Sequence, residues 1–261
     1  MHCNFTYGER SSEEYGIIAV GFGNSSSNDL FSGQTTKLVT DKSAQAIEWE
    51  VISQDYESPM EFVLQIINED GSDFSQAQER SICQWLCKRG EYQWLFIQDE
   101  RYSDVWIRCN INNPQIWIVG TVKGMQFTVT TSSAIAFSGE REFNYALTAT
   151  DKTIDDLYVY NDEDVQVYPY MEITMMESGD LKITNSQEND TEYYTNVKGL
   201  SVGETIIIDE ESVATTLLSH DVLNDSNLKW PRLYNGNNVL SFSLSCNVFI
   251  KFREYRKLVI Y

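Results

Sequence analysis

A mainly β protein built of two modules, the first carrying one short helix, is the fold this sequence predicts, and three observations predict it. Apolar residues recur with period two, as at Met60, Phe62, Leu64 and Ile66, which puts them on one face of a strand. The chain carries 15 Tyr and 12 Phe, side chains that suit a pleated surface better than a helix. Helical spacing marks one stretch, Glu79 to Gly90, where Ile82, Trp85, Leu86 and Arg89 share a face and Gly90 is placed to stop the helix. With 261 residues, the chain has the size at which one hydrophobic core gives way to two.

The elements follow in order. Tyr15 to Phe22 is apolar enough for an inward strand, closed by Gly21, Gly23 and the polar run from Asn24 to Asn28. Ser25 to Ala44 reads as a long polar loop with eight Ser or Thr, anchored only by Leu30, Phe31, Leu38 and Val39. Loops of that length inside compact domains serve a function or stay disordered. Ile47, Trp49 and Val51, then Met60 to Ile66, read as neighbouring antiparallel strands across the turn from Asp55 to Pro59. Asn68 to Asp73 is turn chemistry with Gly71 free to go left-handed, and the helix bearing Arg80 begins after it. Strands are then expected at Tyr92 to Ile97, Val105 to Ile111, Gln115 to Thr121 and Lys123 to Thr130, with Asn112 to Pro114 as a break.

From Thr131 to Ser138 the composition turns small and polar, which places a domain boundary near position 135 and divides the chain into 1–135 and 136–261. Beyond it, short strands recur at the spacing of a two-sheet sandwich, separated by turns such as Glu177 to Asp180 and Val202 to Glu204. They are expected at Asn144–Thr150, Tyr158–Tyr160, Val165–Met175, Asp180–Asn185, Glu192–Val197, Thr205–Asp209, Asn238–Leu244 and Asn247–Phe252. Pro169 belongs at a strand start or edge because it donates no ladder hydrogen bond.

Composition narrows the function. The 39 acidic against 19 basic residues give a formal net charge of −20, which disfavours specific nucleic-acid binding, since a phosphate surface needs clustered Lys and Arg. The most basic run, Lys251 to Lys257, is interrupted by Glu254 and reads as a solvated or ion-pairing strand face. Five scattered cysteines form no disulfide framework, and Cys83 and Cys87 lack the further ligands a metal would need, so neither metal nor cofactor is expected. No apolar run approaches the ~20 residues of a bilayer span, and the first residues lack the charged and apolar regions of a signal peptide. Membrane insertion is therefore not expected.

Catalytic residues are not expected either. Ser219, His220 and Asp221 adjoin, but no Gly-x-Ser-x-Gly elbow accompanies them, and a plain loop is the simpler reading. Abundant carboxylates alone do not specify a glycosidase. A carbohydrate-binding β-sandwich is the rival reading. Trp230, however, sits in Trp230-Pro231-x-Leu233 before an Asn-Gly turn and fits a core plug better than a sugar platform, and no spaced set of His, Arg and Asn is visible to chelate hydroxyls.

Arg80-x-Ile82-x-x-Trp85-Leu86, followed by the Tyr92, Trp94, Phe96 strand and the acidic turn from Gln98 to Tyr102, resembles the N-terminal domain of siphophage distal tail proteins. Phe5 to Tyr7 leading to Tyr15 to Ile18, and Trp230-Pro231 leading through Gly236 to two closing strands, extend the resemblance over nearly the whole chain. It implies a β-sandwich-like ring-forming domain with an extended arm, then a galectin-like jelly roll containing Tyr168 to Ile173. It further implies a non-enzymatic hexameric hub at the tail tip of the virion, assembled in the reducing host cytoplasm. That hub contacts the tail tube protein, the tape measure protein, a tail-associated protein and receptor-binding proteins, and DNA passes through the ring. The segment from Gly23 to Thr40 carries few matching residues; as an intersubunit arm it would use Leu30, Phe31 and Leu38. Phe31→Asp is expected to abolish assembly without unfolding the subunit, as size-exclusion chromatography and circular dichroism would show; normal assembly by this variant removes the arm.

Overall fold

The computed structural model describes residues 2–23, 36–42, 50–56, 58–87, 90–119, 122–163, 165–209 and 212–257. The chain divides into one compact unit of residues 1–137 with 256–261 and a second of 138–255. Leu30, Phe31, Ile47, Trp49 and Arg89 lie outside the described residues.

The N-terminal unit opens with β1 (Phe5–Tyr7) and β2 (Arg10–Ser11), a 3₁₀ turn at Ser12–Tyr15, and β3 (Ile17–Gly23). Then come β4 (Thr36–Asp41), β5 (Glu50–Tyr56), β6 (Glu61–Asn68), α1 (Gln76–Leu86), β7 (Gln93–Ile97), β8 (Trp106–Val119), β9 (Val122–Thr131) and β10 (Ala136–Phe137). The main sheet runs β2-β1-β7-β8-β9-β6-β3, with β10 added at β8. A bridge from Cys3, just ahead of β1, to Ala19 of β3 links the β1 side of this order to its far end. The sheet therefore rolls on itself, and its inward residues, among them Phe5, Ile17, Phe62, Leu64, Ile107 and Phe127, enclose one core. Alternation enforces this, because a one-residue slip would turn every apolar side chain outward.

Helix α1 covers that core with Ile82, Trp85 and Leu86. Ser75 caps its first turn: its side chain accepts the Gln78 N–H, while the Gln78 side chain accepts the Ser75 N–H in return. The helix starts earlier than its apolar spacing indicates and ends at Leu86 rather than Gly90, because the capping box, not the first apolar residue, fixes its start. The Trp85 indole stacks on Tyr15 with centroids 4.4 Å apart and an interplanar angle of 3°, and donates to the Tyr7 carbonyl at 3.1 Å.

Three local readings of this half are corrected. Thr36 to Asp41 is not loop but strand β4, paired antiparallel with β5 in a two-stranded ribbon. The segment around Val51 consequently does not neighbour Met60–Ile66; β6 pairs with β3 and β9 instead. Alternation assigns a face, not a partner. Asn112 to Pro114 does not break the strand either: β8 runs through it with a shift of register against β9, Asn113 at φ 50. A bulge accommodates Pro114, whose missing N–H a regular ladder would require. Close packing beyond the bulge depends on Gly124, where a Cβ would come within 2.6 Å of the Ile66 carbonyl oxygen.

The C-terminal unit is a sandwich of two antiparallel sheets. Its strands are β11 (Arg141–Leu147), β12 (Thr153–Val159), β13 (Tyr170–Met175), β14 (Gly179–Asn185), β15 (Thr195–Leu200), β16 (Thr205–Asp209), β17 (Ser212–Thr215), β18 (Gly236–Phe242) and β19 (Cys246–Phe252). One sheet runs β11-β19-β13-β16-β17, the other β12-β18-β14-β15. Their facing residues, including Leu157, Ile173, Leu181, Ile206, Leu240 and Val248, form the second core. Strand β17 has no counterpart in the sequence reading, since Ser212, Ala214 and Thr215 carry almost no apolar signal; backbone pairing to β16 makes it a strand. Strand β13 begins at Tyr170 rather than Val165, directly after Pro169, while Val167 bridges to Leu233. Glu254, which interrupts the basic run, is buried, and its carboxylate accepts from Arg141 at 2.6 Å and from the Tyr160 N–H at 3.0 Å.

Trp85→Ala removes a buried ring and leaves the Tyr7 carbonyl without its indole donor. It is expected to destabilise the N-terminal unit by about 3–5 kcal/mol, measured by urea denaturation. A loss under about 1 kcal/mol would show that the helix is dispensable to this core.

Candidate assembly surfaces

The residues singled out from the sequence separate into framework and surface. Trp85 and Leu86 are buried under the rolled sheet, and Pro231 is buried in the sandwich. Trp230 packs against the second core, and its carbonyl accepts the Tyr193 hydroxyl at 3.0 Å. Each of these side chains stabilises the core of its own unit and offers little to a partner. Arg80 is exposed on α1. With Glu79, Cys83, Pro114 and Ile116 it lines a groove of about 300 Å³. Leu38 is 55% exposed on the β4–β5 ribbon, with Val39 exposed beside it.

The sequence reading missed two further apolar side chains: Ile116 and Ile118, 61% and 69% exposed, on one face of β8 beyond its bulge. Their alternation matches that of an inward strand, and only the rolled sheet shows that this end of β8 extends past the core. Exposed isoleucines spaced two apart on a long strand are the kind of surface a protein contact covers. On the other side of α1 lies a polar cleft of about 540 Å³, lined by Glu9, Arg10, Tyr15, Gln84 and Gln93 among others, in which Arg10 donates to the Tyr15 hydroxyl at 2.5 Å.

Reactive chemistry is sparse. Among the described residues no cluster of His, Cys, Asp and Glu has the geometry to hold a metal ion. The five cysteines are free thiols, and burial pushes the Cys246 thiol up to about 12. His220 does not face a nucleophile; it joins two carboxylates. Nδ1 lies 2.6 Å from Glu204 Oε1, and Nε2 lies 3.2 Å from Asp225 Oδ2, a charge contact off the line of a hydrogen bond. Glu204 also accepts from the Thr215 hydroxyl at 2.6 Å and the Ser201 N–H at 3.0 Å. The hydrogen bond to Glu204 raises the His220 pKa above 6.5, against burial, which lowers it. Burial pushes Glu204 up, but the bonds from Thr215, Ser201 and His220 outweigh it and hold the carboxyl below 4.5. The arrangement pins the segment after β17 to the start of β16; it is a structural clamp.

Comparison with known proteins fits this division into framework and contact surface. A family model described as phage tail protein N-terminal domain matches residues 1–133, and one described as phage tail C-terminal domain matches 136–252. The chain belongs to this family of phage tail proteins and is a structural component of the tail. Among solved structures it is similar to the Dit protein of phage SPP1, described as a paradigm of the hub adsorption apparatus in phages infecting Gram-positive bacteria. The two share 11% identity and superpose with a TM-score of 0.65, over 98% of this chain and 99% of the other, so the distal tail fold spans the whole molecule. No curated protein matches.

The clamp has a pH signature. Folded His220 holds its proton more tightly than the unfolded chain, so its contribution is complete below pH 6.5 and is lost as pH rises through the raised value. Glu204 contributes above pH 4.5 and loses that contribution as pH falls through its lowered value. The urea midpoint of the C-terminal unit is expected to drop from neutral to alkaline pH, and His220→Gln to flatten that slope. An unchanged slope in the variant would reassign it to other groups.

Proposed function

We propose that the protein is the hub of a long, non-contractile tail: a hexameric ring at the tail tip that joins the tail tube to host-recognition components and makes or breaks no covalent bond. The observation that carries this reading is the match to the SPP1 hub protein over the full length of both chains, with both tail-family domains in order. Each unit has its own core, so the N-terminal unit can close the ring while the C-terminal unit holds receptor-binding or other tail-tip proteins. The tape measure protein and a tail-associated protein are the remaining neighbours, and assembly takes place in the host cytoplasm.

Head-to-tail contacts close into a ring only when the rotation per subunit is right. Their driving force is apolar area removed from water, about 2,000 Å² or more for obligate contacts. Ile116, Ile118 and Leu38 supply exposed apolar surface for it. The net charge of −20 suits a conduit, since a wall of the same sign as DNA does not retain it.

Native mass spectrometry of the purified protein is expected to find six copies, either alone or with tail-tip partners. Ile116→Asp with Ile118→Asp is expected to shift the population to monomer without lowering the melting temperature. A protein that stays monomeric at high concentration and in tail extracts overturns the ring.

A further inference from the structure

The outer face of the larger C-terminal sheet takes no part in either core. Strand register aligns its residues in rows. Asn144 of β11 lies opposite Phe249 of β19, Phe249 opposite Glu172 of β13, and Glu172 opposite Ile207 of β16. The next row is Ala146, Asn247, Thr174 and Thr205. Over these rows lies a groove of about 340 Å³, lined by Asn144, Glu172, Thr174, Asn247 and Phe249 among others.

We propose that this groove binds a saccharide, with Phe249 as the stacking platform and Asn144, Asn247 and Glu172 as partners for the hydroxyls. A sugar ring has an apolar C–H face and a rim of hydroxyls that both donate and accept. Its natural complement is an aromatic ring beside planar amides and a carboxylate. Phe249 is half-buried and held edge-on by Tyr170, with centroids 6.4 Å apart and an interplanar angle of 73°. The Lys251 ammonium lies 4.9 Å from the Tyr170 ring centroid, and the Tyr170 hydroxyl donates to Glu172 Oε1 at 2.6 Å. Platform and carboxylate are thereby oriented before any ligand arrives, and Glu172 Oε2 remains to accept from a sugar hydroxyl. Among the described residues the Asn144 side chain has no hydrogen-bond partner, and Asn247 makes only a 3.8 Å contact from its amide nitrogen to the Met176 sulfur. Both amides sit beside the ring with donor and acceptor capacity to spare.

Two comparisons favour this assignment. The cleft beside Trp230 holds only about 10 Å³, no more than a single water needs. Its polar groups are also committed, since Arg232 stacks 3.5 Å over Tyr193 and pairs with Glu188 at 2.6 Å. A protein partner, in turn, favours a centre depleted of charge. Here Glu142, Lys251 and Glu172 alternate with the rings, so no continuous apolar patch forms.

The proposal is independent of ring formation, and its test is saturation-transfer NMR on the full chain. The probes are glucose, galactose, N-acetylglucosamine and β-linked disaccharides of each. At least one is expected to bind in the millimolar range, and Phe249→Ala and Asn144→Ala each to weaken it by about tenfold or more. Glu172→Gln is expected to retain part of the binding, and Tyr158→Ala, exposed on the other sheet, all of it. Asn144 is exposed, so its variant keeps the test decisive should Phe249→Ala fold poorly. No signal from any probe overturns the proposal, as does binding that survives both substitutions in folded protein. Loss of incorporation into tails by the same variants, without any saccharide signal, would assign the face to a protein partner and overturn it as well.

Discussion

The Trp85 indole, stacked on Tyr15 and bonded to the Tyr7 carbonyl, ties the helix to the first strand and to the turn that follows it, three segments that no ladder hydrogen bond joins directly. A sheet rolled on itself needs one end plugged, because the apolar ends of its inward row would otherwise meet water. Ile82 and Leu86 supply area, and the indole N–H adds a directional bond that fixes the helix rotation about its axis. With the core so enclosed, the end of β8 beyond its bulge and the β4–β5 ribbon are left to do something other than stabilise the subunit.

The two units meet the same constraint in different ways. A β-sheet with an apolar face must cover it; the N-terminal unit does so by curvature and a helix, the C-terminal unit by a second sheet. Each solution leaves its outer faces to other work. In the first, a few exposed apolar side chains, Leu38, Val39, Ile116 and Ile118, stand out on an otherwise polar surface. In the second it is polar, aromatic and charged, suited to a hydrated ligand.

Polar groups inside the C-terminal unit are paired with care. Glu204 is satisfied by His220, Thr215 and Ser201, and Glu254 by Arg141 and the Tyr160 amide, so neither buried carboxylate is left uncompensated. The same pairing explains why Ser219-His220-Asp221, which suggests catalysis on paper, is a clamp: the imidazole faces carboxylates rather than a hydroxyl or thiol. A histidine so placed stiffens the segment after β17 and makes its stability depend on pH.

Alternation at Met60–Ile66 and helical spacing at Ile82–Leu86 were enough to fix which side chains face inward, because those periods are set by backbone geometry within a few residues. The mainly β class and the single helix follow from that local rule, and the order of the Arg80–Leu86 and Trp230–Pro231 motifs made the family legible. Partnership was not legible. That β5 pairs with β4 rather than β6, that β8 passes through Pro114, and that Ser212–Thr215 is a strand depend on hydrogen bonds to distant segments. The candidate saccharide groove depends on them most of all: Asn144, Glu172, Asn247 and Phe249 come from three strands far apart in sequence, and only the antiparallel register of β11, β19 and β13 sets them side by side.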